Sequence, residues 1–244
     1  MMTIEDKMRK LKLSGMAKKW REVKYKSAEK YIDELLEIEL AEREINTINR
    51  KIKNARFSVI KTLDEFVWHD GIQIPDGITQ DSIENFEFVG KKENLIFLGS
   101  VGTGKTHLAS AVTLNACKNG KSARFFTAAE LANLLIDKNQ KSALRGFFEE
   151  VKKYDLIVID EIGFVPLHKE AADLMFQVIS LCYEKCSLII TSNLEFSQWN
   201  SVFGDNRLTT ALIDRLIHHS HILIFSGESF RLKQSMSKLK NSNK

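Results

Sequence analysis

The chain is poor in the residues that punctuate or staple a fold. With 2 prolines and 12 glycines in 244 residues, it is neither collagen-like nor a low-complexity chain. Its 3 cysteines, an odd number, argue against a disulfide framework and fit a reducing compartment. No apolar run approaches the ~20 residues of a membrane-spanning helix. The basic N-terminal stretch lacks the apolar core of a secretory signal, so the expected location is the cytoplasm. A large charge of one sign is also missing, since the net charge is only +4. That charge is unevenly placed. Residues 1–60 carry 15 Lys and Arg against 10 acids, residues 61–244 carry 21 against 22, and residues 231–244 carry five basic residues and no acid. Basic ends on a neutral middle suggest a polyanionic partner, nucleic acid first, although Lys-rich helices are also simply well solvated.

The length suits one α/β domain of about 150–180 residues with a smaller appendage. Met16 to Asp70 contains no Gly and no Pro, and Tyr31, Leu35, Ile38, Ala41, Ile45, Ile48 and Ile52 recur at spacings of three and four. This predicts a long amphipathic helix, so residues 1–70 read as a helical domain of two to four helices. Residues 71–93, with Gly71, Pro75 and Gly77, read as a linker. Beyond it, short apolar runs alternate with helical stretches. Strands are predicted at Asn94–Leu98, Ala123–Thr127, Leu156–Ile159, Leu188–Thr191 and His221–Phe225. Continuous apolar runs suit strands buried on both faces, which predicts a parallel five-stranded sheet in a three-layer α/β sandwich over residues 94–233, then a basic tail at 234–244.

Residues 99–106 read GSVGTGKT, the G-x-x-x-x-G-K-[ST] pattern, directly after one predicted strand and opening a predicted helix Lys105–Cys117. Gly99, Gly102 and Gly104 allow a tight backbone turn whose N–H groups face phosphate oxygens. The helix N-terminus adds its positive dipole end. Lys105 can reach the β- and γ-phosphates of a nucleoside triphosphate, and the Thr106 hydroxyl can ligate Mg²⁺. Ser100, Val101, Thr103 and His107 complete the phosphate-binding stretch.

The strand Leu156–Ile159 ends in Asp160-Glu161. Carboxylates at the end of a buried strand are costly unless used. Asp160 would hold Mg²⁺ and Glu161 would polarise an attacking water, which favours hydrolysis over transfer to a small molecule; the plain alternative is a strand-end turn. Strand Leu188–Thr191 runs into Ser192-Asn193, where a neutral amide can orient the water; a turn-forming Asn is the alternative. Arg207, Arg215 and Arg231 are the only arginines after Arg145. Arg215 is the candidate for reaching a neighbouring subunit's nucleotide, Arg231 for sensing phosphate in its own subunit, and Arg207 for support, against the alternative of surface ion pairs. His218, His219 and His221 have no matching ligand pair in the sequence and suit a helix end; Cys182 and Cys186 share a helix face and read as core.

The run GTGKTHLA, the strand LIVIDE, the tip TSN, the stretch FGDNRLTTALIDRLIHHSHIL and the closing GESFRLK together resemble the IstB family. These are ATPase helpers of a class of bacterial insertion sequences, related to the helicase loader DnaC and the initiator DnaA within the AAA+ superfamily. The resemblance covers the chain, most specifically residues 94–233. It implies a Mg²⁺-dependent ATPase that assembles with ATP at subunit interfaces, deforms target DNA largely without sequence preference, and recruits its transposase. Gly99–Thr106 then matches Walker A, Asp160-Glu161 Walker B, Asn193 sensor 1, Arg215 the arginine finger and Arg231 sensor 2. Only 19 residues follow Phe225, so the expected lid is at most one helix. The related initiators carry an extra helix between the second and third strands. Here Ala128–Lys153 has room for two helices, and Lys138, Lys141, Arg145, Lys152 and Lys153 make it basic; phosphate contact and a solvated face are the two readings. A helicase loader is the near alternative and a small-molecule kinase the distant one.

Overall fold

The computed structural model describes residues 3–25 and 27–230. Two compact units divide at Lys51/Ile52. The first holds α1 (Ile4–Lys10), α2 (Ser14–Lys19) and most of α3 (Ala28–Ala55). Thr3 begins α1 with a capping box closed by Asp6. Gly15 lets α2 approach α3 closely, since a Cβ there would lie 2.8 Å from the Ile38 carbonyl oxygen. The buried Glu39 carboxylate accepts from the Gly15 and Met16 N–H groups at 2.8 and 3.2 Å and from Arg43 at 2.8 Å. These bonds and the Arg43 charge outweigh desolvation and hold its carboxyl below the usual range. The predicted stripe on α3 is only partly covered: Leu35 is buried, but Ile45 is 55% exposed, because the short α2 packs near Ile38–Glu42.

The expected boundary at residue 70 is not where the helical unit ends. Helix α3 stops at Ala55, with Arg56 in the left-handed region at φ +52°, a helix-ending conformation usually given to glycine. Residues 56–71 are irregular although they contain no Pro and no Gly before Gly71. They pack with the second unit, as does the predicted linker, which contains β1 (Ile72–Gln73), α4 (Gln80–Glu84) and α5 (Glu87–Lys91).

All five predicted strands are present, as β2 (Asn94–Gly99), β3 (Ala123–Thr127), β4 (Leu156–Ile162), β5 (Ser187–Ser192) and β6 (Ser220–Phe225). They run parallel in the order β6-β2-β5-β4-β3. The sixth, β1, adds an antiparallel edge, pairing Ile72 with Phe225 and Gln73 with Ile224. Between strands lie α6 (Lys105–Lys118), α7 (Ala128–Gln140), α8 (Leu144–Val151), α9 (Lys169–Cys182), α10 (Asn200–Phe203) and α11 (Asn206–His218).

Strand alternation sorts the core into two layers. Ile157, Ile159, Leu188 and Ile190 face the layer of Leu131, Leu135, Val178 and Leu212. Leu156, Val158 and Ile189 face the layer of Leu108, Val112, Phe88 and Ala55. The stretch Ala128–Lys153 does form two helices, α7 and α8; Thr127 starts the first with a capping box closed by Glu130. Because β5 lies between β2 and β4, its tip sits between the glycine-rich loop and the acidic strand end.

Candidate functional site

The loop Gly99–Gly104 joins β2 to α6. Its glycines take φ values of +144°, +82° and +102° at Gly99, Gly102 and Gly104, where L side chains are strained. Space forbids side chains as well: a Cβ on Gly99 would lie 1.9 Å from the Phe225 carbonyl oxygen, and one on Gly102 2.1 Å from Ser229 Oγ. Lys105 is buried, and its Nζ donates to the carbonyls of Gly99 and Ser100 at 2.6 and 2.7 Å. The ammonium is thus drawn back across the start of its own loop. Thr103 Oγ1 donates to the Ser100 carbonyl at 2.8 Å, which braces the turn.

Thr106 Oγ1 donates to Asp160 Oδ1 at 3.0 Å. The Thr191 hydroxyl donates to the same oxygen at 2.5 Å and accepts from the Glu161 N–H at 2.9 Å. Burial pushes the Asp160 carboxyl above the usual range, against the opposing pull of the Thr191 and Thr106 hydroxyls and the Lys105 charge. A buried carboxylate oxygen beside a hydroxyl is a hard-oxygen donor pair that suits Mg²⁺, and a cation there would favour the ionised form that burial penalises. The residues present therefore fit a phosphate-bound Mg²⁺.

Glu161 does not continue the strand alternation. The β4–β5 register slips between Ile159 and Ile162, and Glu161 adopts φ +63°. A bulge with a non-glycine residue in this region costs roughly 1–2 kcal/mol and re-aims the side chain. Asn193 follows β5, and its Oδ1 is buried with no hydrogen-bond partner among the described residues. It lies 2.9 Å from where a Gly163 Cβ would be, so Gly163, at φ +113°, lets the chain pass it. A buried acceptor left unpaired at the tip of the central strand is what a bound water would satisfy by donating to it.

A cavity of about 590 Å³ opens over the loop. Gly102, Gly104, Lys105 and Thr106 form its floor, and Val59, Lys61, Phe66 and Val67 one wall. Phe230 closes another side, held by its N–H to the Gly102 carbonyl at 2.9 Å. The volume lies within the range of small-ligand sites.

The other predicted residues lie elsewhere. Arg215 does not line this cavity. It is exposed on α11, hydrogen-bonds Ser180 Oγ on α9 and stacks 4.6 Å from the Phe176 ring centroid. Arg207 is exposed in the first turn of α11. Arg231 lies outside the described residues, as does the tail 234–244. Among the basic residues of the stretch Ala128–Lys153, Lys141 pairs with Asp137 at 2.5 Å and Lys152 with Glu149 at 2.6 Å, Arg145 and Lys153 are exposed, and Lys138 is half-buried. His218 meets the Tyr183 hydroxyl at 3.1 Å, His219 meets Glu184 at 3.2 Å and His221 meets Glu93 at 3.1 Å.

Sequence reasoning passed over Thr191 and the 59–67 wall. The signal for Thr191 was present as the first residue of the TSN tip. Thr191→Val keeps the shape and removes the hydroxyl shared by Asp160 and the Glu161 amide. If the site hydrolyses ATP, turnover should fall about tenfold with ATP affinity within threefold, and folding stability should drop by about 1–3 kcal/mol from the orphaned amide. Steady-state kinetics beside a denaturant melt would measure both, and full turnover would remove Thr191 from the site.

Comparison with known proteins agrees with this geometry. A family model described as "IstB-like ATP binding protein" matches residues 6–238. The ATP-binding protein described for insertion sequence IS5376 of Geobacillus stearothermophilus is 34% identical over 237 residues, covering 95% of this chain and 94% of its own length. That of insertion sequence IS21 of Pseudomonas aeruginosa is 38% identical over 186 residues, covering 75% and 69%. Among solved structures, AMPPCP-bound DnaA of Aquifex aeolicus superposes with a TM-score of 0.55 at 22% identity over 77% of this chain, which spans 57% of that chain. The DnaC helicase loader gives 0.52 at 22% identity, covering 68% of this chain and 96% of the loader. At such identities these two show a shared fold. The family match over nearly the whole length, with curated relatives above 30% identity, establishes that this chain belongs to the IstB-like ATP-binding proteins of insertion sequences.

Proposed function

We propose that the chain is the ATP-hydrolysing helper of an insertion sequence, acting in the bacterial cytoplasm. In this reading it assembles on target DNA in the ATP-bound state, deforms that DNA, recruits and stimulates its transposase, and releases on hydrolysis. The observation that carries it is the hydrogen-bonded set Thr106–Asp160–Thr191–Glu161 at the mouth of the glycine-rich loop. It joins a phosphate cradle, a cation site and a re-aimed carboxylate at one place.

Each residue then has a role. Backbone N–H groups from Gly99 to His107 and the α6 dipole bind phosphate oxygens. Lys105 supplies positive charge to the β- and γ-phosphates. Thr106 and Asp160 hold Mg²⁺, which when bound neutralises phosphate charge. Glu161 accepts a proton from the attacking water and Asn193 orients it. Arg215, exposed on α11, serves a neighbouring subunit's γ-phosphate, and Arg231 senses phosphate in its own subunit. Lys138, Lys141, Arg145, Lys152 and Lys153 contact DNA phosphates. The exposed pairs Lys141–Asp137 and Lys152–Glu149 are weak enough to exchange. The insertion-sequence relatives favour this reading over a helicase loader, for which the likeness is one of fold.

The test is sedimentation with duplex DNA at several salt concentrations, with and without ATP and Mg²⁺. Assembly on DNA should require ATP and weaken steeply with salt. Arg215→Ala should bind ATP yet fail to turn it over, and mixing it with Glu161→Gln should restore part of the activity. A protein that remains a monomer on DNA with and without ATP contradicts the proposal.

A further inference from the structure

Residues 57–68 have no regular secondary structure, yet they are fastened along their length. Before the segment begins, Arg124 Nη1 donates to the Asn54 carbonyl at 3.1 Å, anchoring the last turn of α3. At its end, Trp68 Nε1 donates to Glu84 Oε1 at 2.6 Å. Between these anchors, two side chains of α6 hold its backbone. Ser110 is fully buried; its Oγ donates to the Val59 carbonyl at 2.7 Å and accepts from the Lys61 N–H at 3.2 Å. His107 Nε2 lies 3.1 Å from the Thr62 carbonyl, and since a carbonyl only accepts, that nitrogen carries the proton. Phe66 then meets the His107 ring edge-on at 5.3 Å and lies over Gly104, where a Cβ would come within 3.3 Å of its ring.

Val59, Lys61 and Phe66 form a cavity wall and His107 lines the cavity beside them; Ser110 does not line it. Ser110 therefore acts on a ligand only through the wall it holds. The helix that opens with the phosphate loop thus also fixes the surface across from the loop. We propose that Ser110, as a positioning residue, and the His107 side chain, which both lines the cavity and holds Thr62, set the base-side wall of the ATP cavity, and that they decide how much more tightly the protein binds ATP than a bare triphosphate. This rests on the ATP-binding reading of the loop and adds to it a division of labour. Backbone N–H groups of Gly99–His107 bind phosphate, which a side-chain change at 107 leaves in place, and the fastened segment supplies the contact with the nucleoside.

The experiment is calorimetric titration of the full chain, in Mg²⁺, with ATP and separately with inorganic tripolyphosphate. The wild type should bind ATP more tightly than tripolyphosphate. Ser110→Ala and His107→Leu should each weaken ATP about five- to tenfold, as expected for one or two lost hydrogen bonds, and leave tripolyphosphate within twofold. His107→Gln, whose amide can still donate to Thr62, should recover at least half of the ATP affinity. If Ser110→Ala fails to fold, the His107 pair carries the test alone. Equal weakening of both ligands, or of neither, overturns the proposal. So does a wild type that binds ATP no better than tripolyphosphate, which leaves the phosphate loop standing. A wild type that binds neither overturns the ATP-binding reading itself.

Discussion

Lys105→Ala is expected to abolish measurable ATP binding, a loss of at least about a hundredfold. The ammonium is buried and drawn back to within 2.7 Å of two carbonyls at the start of the loop, close to where the loop's N–H groups would gather phosphate oxygens. A hydrogen bond to a charged group contributes about 1.5–3 kcal/mol, and two phosphates losing such a partner amount to a factor of about 10²–10⁴ in affinity. The truncation also frees the Gly99 and Ser100 carbonyls, which loosens the turn that aims the backbone N–H groups. Lys105→Arg should not rescue, because a planar guanidinium is wider than an ammonium and the site is closed around it. Nucleotide titration by calorimetry checks both variants, with thermal melting to show that they fold. ATP affinity close to wild type in Lys105→Ala would place the triphosphate elsewhere.

How much of this site could be read from the residues depended on how local its physics is. The five parallel strands were legible because strands buried on both faces must be apolar along their whole length, as in Leu156–Ile159 and Leu188–Thr191. The phosphate loop was legible because its glycines answer a backbone demand within six residues. The sixth strand was not: Ile72–Gln73 is two residues beside Gly71, and it is a strand only because Phe225 and Ile224 lie next to it. The cavity wall was hidden for a related reason. Residues 57–68 contain no Gly and no Pro and follow a 28-residue helix, so the pattern predicted more helix. Their backbone bonds go instead to Ser110 and His107, 45–51 residues further along. The bulge at Glu161 is equally non-local, because the Thr191 hydroxyl takes the Glu161 amide out of the regular ladder.

The bulge sets up the second large effect. Glu161→Gln should bind ATP within about threefold of wild type but turn it over about 10²–10⁴-fold more slowly, the usual contribution of a general base. The substitution keeps side-chain shape, so the backbone at φ +63° is asked for nothing new, and only the capacity to accept a proton is lost. Asp160→Asn provides the contrast. Its carboxylate oxygen accepts from both Thr106 and Thr191, so its loss should weaken Mg²⁺-dependent binding as well as turnover. The two acids, adjacent in sequence, would then separate in experiment: one variant holds nucleotide and stalls, the other holds it poorly. If ATP maintains the assembly, the stalled Glu161→Gln protein should also remain on duplex DNA after wild type has dissociated, visible as persistent complexes when free ATP is removed. Normal turnover in Glu161→Gln would mean that another group accepts the water's proton. Slow turnover with prompt release from DNA would show that hydrolysis does not time the dissociation.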